Sequence, residues 1–210
     1  MIIAVDGPAA SGKGTIARRL ARHYGLPHMD TGILYRAAAL NLLKLGLDPE
    51  SEFHAARACD VSQIDLDDPD LRSEAVGGVA SRISAYPLVR EALIERQRRF
   101  AAQPGGAVLD GRDIGTVIAP QAEAKLFVTA SPEVRARRRC DELGSRGLAV
   151  GFEDVLSDIR ARDARDSGRA AAPLVRADDA DLLDTSDLAI EAAVAEAIRL
   201  VERRLDTRAD

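Results

Sequence analysis

The sequence predicts an α/β fold in which a five-stranded parallel sheet is flanked by helices. Short apolar strand patterns alternate with helical patterns along most of the 210 residues. Such alternation is typical of parallel sheets built from right-handed crossovers. Polar residues also follow three of the strands, at the edge of the sheet where α/β proteins bind ligands. The length suits one domain over residues 1–210.

The predicted strands are short apolar runs, several of which end at an aspartate. The first, IIAVD, runs directly into a glycine-rich turn. The strands are predicted at residues 2–6, 27–29, 107–110, 125–129 and 182–184. Between them, apolar residues recur at intervals of three and four, which indicates helices. These are predicted at residues 15–24, 32–45, 87–101, 132–143, 152–166 and 188–205.

Two stretches interrupt the alternation. Residues 46–85 are rich in acidic and small side chains and are predicted to form a peripheral insertion. Residues 144–168 join the fourth and fifth strands through a glycine-bearing turn and an arginine-rich helix, as a mobile lid would. The remaining core comprises residues 1–45, 86–143 and 169–210.

The composition excludes several classes of protein. A net charge of −5 argues against a nucleic-acid binder, because phosphate-driven affinity requires a positive surface. No apolar run approaches the roughly 20 residues that a membrane span needs. The first strand begins at residue 2 and leaves no room for a targeting segment, so we expect a cytoplasmic protein. Since no extra apolar face is evident, we also expect a monomer.

The run from Gly7 to Thr15, GPAASGKGT, is predicted to bind phosphate. Its glycines let backbone amides approach phosphate oxygens, and the helix that follows points its N-terminus at the same place. The ammonium of Lys13 adds a positive charge. Gly14 follows this lysine and the hydroxyl comes one place later, at Thr15, an ending common in small kinases that phosphorylate nucleotides.

The arginines of the predicted lid are spaced for one binding site. Arg162, Arg165, Asp166 and Arg169 fall at i, i+3, i+4 and i+7, which places them on one face of a helix. Three cations are costly to bring together unless anions lie against them. Since phosphoryl transfer depends on positioning and on charge neutralisation, this face is predicted to contact phosphate.

Four motifs together resemble the bacterial cytidylate kinase family. They are DGPAASGKGT at residues 6–15, MDTGILYR at 29–36, LDGRDIGTV at 109–117 and RDARDSGRAAAPL at 162–174. The similarity covers nearly the whole chain. It implies a P-loop kinase that converts ATP and CMP (or dCMP) into ADP and CDP (or dCDP) with Mg²⁺. The family's acceptor-binding insertion often carries a small antiparallel sheet, whereas this insertion looks shortened and has little alternating pattern.

The resemblance implies roles on the donor side of the reaction. The ATP phosphates would be held by Gly7, Pro8, Ala9, Ala10, Ser11, Gly12, Lys13, Gly14 and Thr15. An arginine from the cluster Arg135, Arg138 and Arg139, taken to be Arg138, would lie over the adenine ring, or else the cluster is a solvated helix face. Asp110 would hold Mg²⁺ through water or would only cap its loop.

The resemblance also implies roles on the acceptor side of the reaction. Thr31 and Arg36 would face the nucleotide, with Arg36 reaching its phosphate together with Arg112 and Arg169. Ser81, Arg90 and Asp113 would contact the cytosine. Asp166 and Arg162 would reach the ribose, and Arg165 would move in with the lid to neutralise the transferring group.

The chemistry of Asp113 supports cytosine without reference to the family. Cytosine carries an amino donor where uracil carries a carbonyl acceptor, so a carboxylate bonds one and repels the other. Sites built in this way can reject the wrong analogue by about 10⁴-fold. The sequence leaves open another small-molecule kinase of the UMP or shikimate type, or a non-catalytic ATP-binding switch.

Overall fold

Five parallel strands form the central sheet, in the spatial order β2-β3-β1-β4-β5. They are β1 (Ile2–Asp6), β2 (His28–Asp30), β3 (Ala107–Gly111), β4 (Ala124–Thr129) and β5 (Asp181–Asp184). The computed structural model describes residues 1–61, 64–66 and 68–209. The predicted fold class is confirmed, and no predicted strand boundary differs from the observed one by more than one residue.

The carboxyl ends of β1, β2 and β3 meet at one edge of the sheet. Asp6 of β1 lies opposite Gly111 of β3, and Asp30 of β2 lies opposite Asp110 of β3. The polar residues that follow these strands therefore converge, as expected for a parallel sheet.

The helices cover both faces of this sheet. They are α1 (Lys13–Tyr24), α2 (Thr31–Lys44), α3 (Glu52–Arg57), α4 (Glu74–Ile83), α5 (Pro87–Ala101), α6 (Pro132–Ser145), α7 (Phe152–Gly168) and α8 (Ile190–Ala209). Leu20 of α1 and Val201 of α8 pack with Val5 in one buried cluster. Leu109 and Ala101 belong to another. None of the described helices combines the length and the apolar character needed to cross a lipid bilayer.

The predicted insertion is helical over much of its described length. Helix α3, a 3₁₀ turn at Pro69–Arg72 and α4 pack against α2. Leu42, Leu71 and Ile83 are fully buried in this cluster. The described part of residues 46–85 contains no strand, and Ser62, Gln63 and Asp67 lie outside the described residues. Neither α3 nor α4 was among the predicted helices: α3 has only six residues, and two adjacent glycines weaken the helical signal of α4.

The lid region has a small hydrophobic core of its own. Val155, Leu156 and Ile159 of α7 pack against Ala136 and Leu143 of α6. The predicted lid begins at residue 144, but α6 continues to Ser145. Only residues 146–151 therefore connect α6 to α7. Helix α7 is therefore held to α6 by apolar contacts as well as by charges.

Candidate active site

A cleft of about 400 Å³ opens at the carboxyl edge of the sheet. Its walls come from the loop at residues 7–15, the loop after β3, and helices α2, α4, α5, α6 and α7. All of the predicted site residues line it except Gly7, Pro8, Arg138 and Arg165. The structure thus brings together residues that are far apart in the chain.

The loop at residues 7–15 has the geometry of a phosphate cradle. A Cβ atom at Gly7 would lie 2.0 Å from the carbonyl oxygen of Val128, so only glycine fits there. Gly12 turns the chain into α1 with a φ of 89°. The hydroxyl of Ser11 is buried and has no hydrogen-bond partner within the described residues. A helix N-terminus beside an unpartnered hydroxyl suits a bound phosphate.

Lys13 begins α1 and lines the cleft. Its Nζ donates a hydrogen bond to the carbonyl oxygen of Pro8 at 3.2 Å. Burial and the neighbouring charge of Arg112 lower the pKa of Lys13 from 10.5 to about 8, while Asp110 and Asp30 oppose this shift. The ammonium is therefore incompletely compensated, and a phosphate group would stabilise it.

Arg112 and Arg169 form a second cationic region of the same cleft. Nε of Arg112 donates to Oδ2 of Asp166 at 2.7 Å. Nη2 of Arg169 is buried without a hydrogen-bond partner in the described part of the chain, and it lies 3.9 Å from Oδ1 of Asp113. Burial lowers the pKa of Arg169 below its usual range. A buried donor without a partner is costly, and an anionic oxygen would satisfy it.

The prediction that one helical face holds all four charged lid residues is wrong for Arg169. Helix α7 ends at Gly168, and Arg169 has an extended backbone with φ −69° and ψ 140°. Nε of Arg169 donates to the carbonyl oxygen of Ala172 at 2.6 Å. Glycine commonly lies at helix ends, so the chain leaves the helix before Arg169.

Arg90 and Asp113 lie together as an ion pair. Nη2 of Arg90 donates to Oδ2 of Asp113, and Nη1 lies 3.4 Å from the Tyr35 hydroxyl, to which it donates. Burial raises the pKa of Tyr35. Tyr35 also lines the cleft, although it was not among the predicted site residues. Its position within the motif MDTGILYR was the available signal.

Helix α4 forms part of the cleft wall, and three of the predicted site residues, Arg36, Arg162 and Arg165, lie beside it. Burial and the charge of Arg162 lower the pKa of Arg36 to about 10. Arg162 donates to the carbonyl oxygen of Gly77 at 2.6 Å. Arg165, outside the cleft lining, donates to the Ser81 hydroxyl at 3.3 Å. Helices α4 and α7 are thus in polar contact beside the cleft.

Asp110 has partners on both its side chain and its backbone. Oδ1 lies 2.7 Å from Nε2 of His28, and the carbonyl oxygen accepts from the Thr31 hydroxyl at 2.9 Å. Burial and the charge of Asp110 raise the pKa of Asp30. Within the described residues, no three His, Cys, Asp or Glu side chains are grouped to hold a metal ion directly. These contacts are compatible with both interpretations of Asp110, as a residue that holds Mg²⁺ through water and as one that only caps its loop.

A second cavity, of about 530 Å³, adjoins the phosphate loop. Arg138 lines it, and Leu188, Ile190 and Ala193 contribute apolar surface. Nη1 of Arg138 donates to the Thr185 hydroxyl at 3.0 Å, and Nη2 donates to the Thr185 carbonyl oxygen at 2.6 Å. A held guanidinium plane beside apolar side chains suits an aromatic ring.

The other arginines of α6 have different surroundings. Arg135 is 3% exposed and pairs with Asp163 of α7 at 2.6 Å. Arg139 pairs with Glu74 of α4 and with Glu142. The interpretation of this cluster as a solvated basic face is therefore wrong for Arg135. Periodicity alone could not reveal this, because the ion pair depends on how α7 packs.

Asp6 received no individual role from the sequence, although it ends the first strand. Its two carboxylate oxygens accept hydrogen bonds from the backbone amides of Ile114 and Gly115 at 2.8 and 2.7 Å. Burial raises its pKa from 3.8 to about 6, while those hydrogen bonds oppose the shift. Asp6 thus ties β1 to the π-helical turn Ile114–Ile118, which directly follows Asp113.

Comparisons with known proteins show which family the chain belongs to. The family model described as Cytidylate kinase matches residues 3–203. A cytidylate kinase from Xanthobacter autotrophicus is 62% identical over 206 residues, covering 97% of this chain and 98% of the relative. One from Methylocella silvestris is 58% identical, covering 99% and 96%. A solved gluconokinase from Sinorhizobium meliloti, 16% identical, has a TM-score of 0.54 and covers 96% of this chain and 91% of its own, which shows a similar fold. The chain belongs to the cytidylate kinase family.

Proposed function

We propose that this protein transfers the γ-phosphoryl group of ATP to CMP or dCMP and releases ADP with CDP or dCDP. As a member of the cytidylate kinase family it is an ATP-dependent phosphotransferase, and CMP is its acceptor. One structural observation carries the proposal. The phosphate loop with Lys13 shares a cleft with a second cationic region that includes Arg112 and Arg169. A protein that only holds ATP needs the first region alone.

On the donor side, the loop at residues 7–15 binds the ATP phosphates, and Arg138 lies over adenine in the adjoining cavity. Gly7 and Pro8 do not line the cleft, so they act by shaping the turn. Asp110 fits a water-mediated contact to Mg²⁺, because its carboxylate lies near Gly14 at the start of α1. When bound, Mg²⁺ neutralises charge on the phosphates.

On the acceptor side, guanidinium groups bind phosphate because their planar donors engage two oxygens at once. The phosphate is held by Arg36, Arg112 and Arg169. Thr31 orients the loop through its hydrogen bond to Asp110, and Arg162 with Asp166 reaches the ribose. Ser81, Arg90 and Asp113 contact the cytosine. Arg165 leaves Ser81 and approaches the transferring phosphoryl group when both substrates are bound.

The alternatives that the sequence leaves open receive no support from the relatives described above. A UMP kinase would need a different group where Asp113 lies, because a carboxylate repels the uracil carbonyl oxygen. A non-catalytic ATP-binding switch does not account for the buried, unpartnered Nη2 of Arg169. A single chain supplies every residue of this site, and we propose that the protein acts as a monomer. We also propose that it acts in the cytoplasm, where ATP is abundant.

A coupled assay of ADP release tests the proposal. CMP, dCMP, UMP, AMP, TMP and shikimate are compared as acceptors at one ATP concentration. We expect CMP and dCMP to exceed every other acceptor in kcat/KM by at least about 10²-fold, given the cost of a mismatched buried polar group. ADP release that does not depend on an acceptor would support the switch instead. Preference for UMP, AMP, TMP or shikimate would reassign the substrate.

A further inference from the structure

Gly77 lies inside α4, where the helix itself offers no reason for a glycine. Its amide donates to the carbonyl oxygen of Ser73 at 3.0 Å, as in an ordinary helix. Neither Gly77 nor its neighbour Gly78 has a φ in the left-handed region. Since glycine destabilises a helix interior relative to alanine, its presence at Gly77 calls for a different explanation.

The space beside Gly77 is occupied by two guanidinium groups. A Cβ atom there would lie 3.0 Å from Nη2 of Arg36 and 3.1 Å from Nη2 of Arg162. A Cβ atom at Gly78 would meet no heavy atom within 4 Å. Of the two adjacent glycines, only Gly77 therefore faces the arginines.

The two arginines reach this point from different helices. Arg36, on α2, donates to the carbonyl oxygen of Leu71 at 2.8 Å. Arg162, on α7, donates to the carbonyl oxygen of Gly77 at 2.6 Å. A carbonyl partner does not neutralise a positive charge, and both side chains line the cleft. Two guanidinium groups held in this way favour an anionic ligand.

We propose that Gly77 is a positioning residue whose missing side chain lets Arg36 and Arg162 lie side by side against α4 to receive the acceptor nucleotide. The inference rests on the proposed function, which assigns these arginines to the acceptor phosphate and ribose. A methyl group would force the guanidinium groups to move by a few tenths of an ångström. Small displacements of this kind weaken oriented contacts.

The test compares Gly77→Ala with the matched control Gly78→Ala. Both changes add one methyl group to the same helix, and Gly78→Ala, whose methyl group meets no neighbouring atom, should keep or raise the Tm. Gly78→Ala should leave the kinetics unchanged. Gly77→Ala should raise the KM for CMP about tenfold and leave the KM for ATP within about twofold, because only the acceptor contacts are displaced.

A KM for CMP within twofold of wild type in Gly77→Ala would overturn the inference, as would equal losses for both substrates. If Gly77→Ala fails to fold, the variant Gly77→Ala/Arg36→Ala/Arg162→Ala should restore folding, because both crowded guanidinium groups are then absent. Continued failure of this variant would also overturn the inference. Wild-type turnover of CMP is measured first. Its absence would refute the proposed function itself, whereas normal turnover with an unchanged KM in Gly77→Ala refutes only the role of Gly77.

Discussion

Arg90 and Asp113, from α5 and the loop after β3, form a buried ion pair beside the acceptor cleft. Nη2 of Arg90 donates to Oδ2 of Asp113, and the two side chains are 9% and 8% exposed. Oδ1 of Asp113 lies 3.9 Å from Nη2 of Arg169, beyond hydrogen-bond distance. The pair holds the carboxylate through Oδ2, and in the proposed function Oδ1 is the oxygen that accepts from the cytosine amino group.

Asp113→Asn should reduce discrimination between CMP and UMP. The amide can turn its NH₂ group toward the uracil oxygen, so the difference in activation free energy should shrink by about 1–3 kcal/mol, the scale of one buried hydrogen-bond mismatch. Activity with CMP should fall. The measurement is kcat/KM for both nucleotides, with Arg90→Ala as the control that should impair both. An unchanged ratio in the asparagine variant would mean that another residue reads the base.

Arg112→Ala should raise the KM for CMP at least about tenfold and change the KM for ATP by no more than a few-fold, because it removes binding to one substrate. Asp166→Asn is the matched control. It weakens the partner that holds Nε of Arg112 at 2.7 Å and should give a smaller effect in the same direction. Steady-state kinetics with each substrate varied in turn separate these results. Equal losses for ATP and CMP would assign Arg112 to both nucleotides.

Lys13→Ala should lower kcat by about 10²–10³-fold while the protein stays folded. In the proposed function the ammonium stabilises charge on the transferring phosphoryl group, and the loss of one such contact typically has an effect of this size. Circular dichroism checks the fold, and single-turnover kinetics measure the phosphoryl-transfer step. A folded variant with turnover within a few-fold of wild type would exclude Lys13 as the phosphate lysine.

The lowered pKa of Lys13 predicts an alkaline decline in activity. Lysine is charged when protonated, and its pKa is about 8 here instead of 10.5. The kcat/KM for ATP at subsaturating CMP should therefore be level below about pH 8 and fall up to tenfold per pH unit above it, since this parameter reports the free enzyme. Arg112→Ala should move the decline to higher pH, because the charge of Arg112 contributes to the lowering. The same decline in Lys13→Arg, which stays protonated, would assign it to another group.

Hydrogen exchange should distinguish two parts of the lid. Amides near Val155, Leu156 and Ile159 should exchange slowly without nucleotides, because these residues are buried against α6. ATP and CMP together should add protection mainly at residues 146–151 and 162–169, where arginines gain phosphate partners. Mass spectrometry on the empty protein, with ATP alone and with both nucleotides tests this. Fast exchange along all of α7 in the empty protein would show that the apolar contacts do not hold it.

The strand pattern and the phosphate loop could be predicted because they depend on neighbouring residues. An apolar run such as IIAVD must be buried, and the glycines that follow it permit a turn that few other residues allow. Helix α3, at six residues, is too short for periodicity to identify and is stable through packing on α2. Helix α4 does have helical spacing, with Val76, Val79 and Ile83 on its buried face, but its two adjacent glycines weaken the helical signal. The helix predicted over residues 152–166 ends at Gly168, one residue before Arg169, because helix boundaries depend on caps and tertiary contacts.

The sequence by itself determined which chemical groups are available: a lysine in a glycine-rich turn, several arginines and an aspartate after the third strand. Only the tertiary structure decided how they are paired. It joined Asp113 to Arg90, Asp166 to Arg112, and the carboxylate of Asp6 to the amides of the next loop. It also set the guanidinium groups against Gly77. The physical reason is that burial makes an unpaired charge costly, so partners are chosen by which surfaces meet in the folded chain and not by their separation along it.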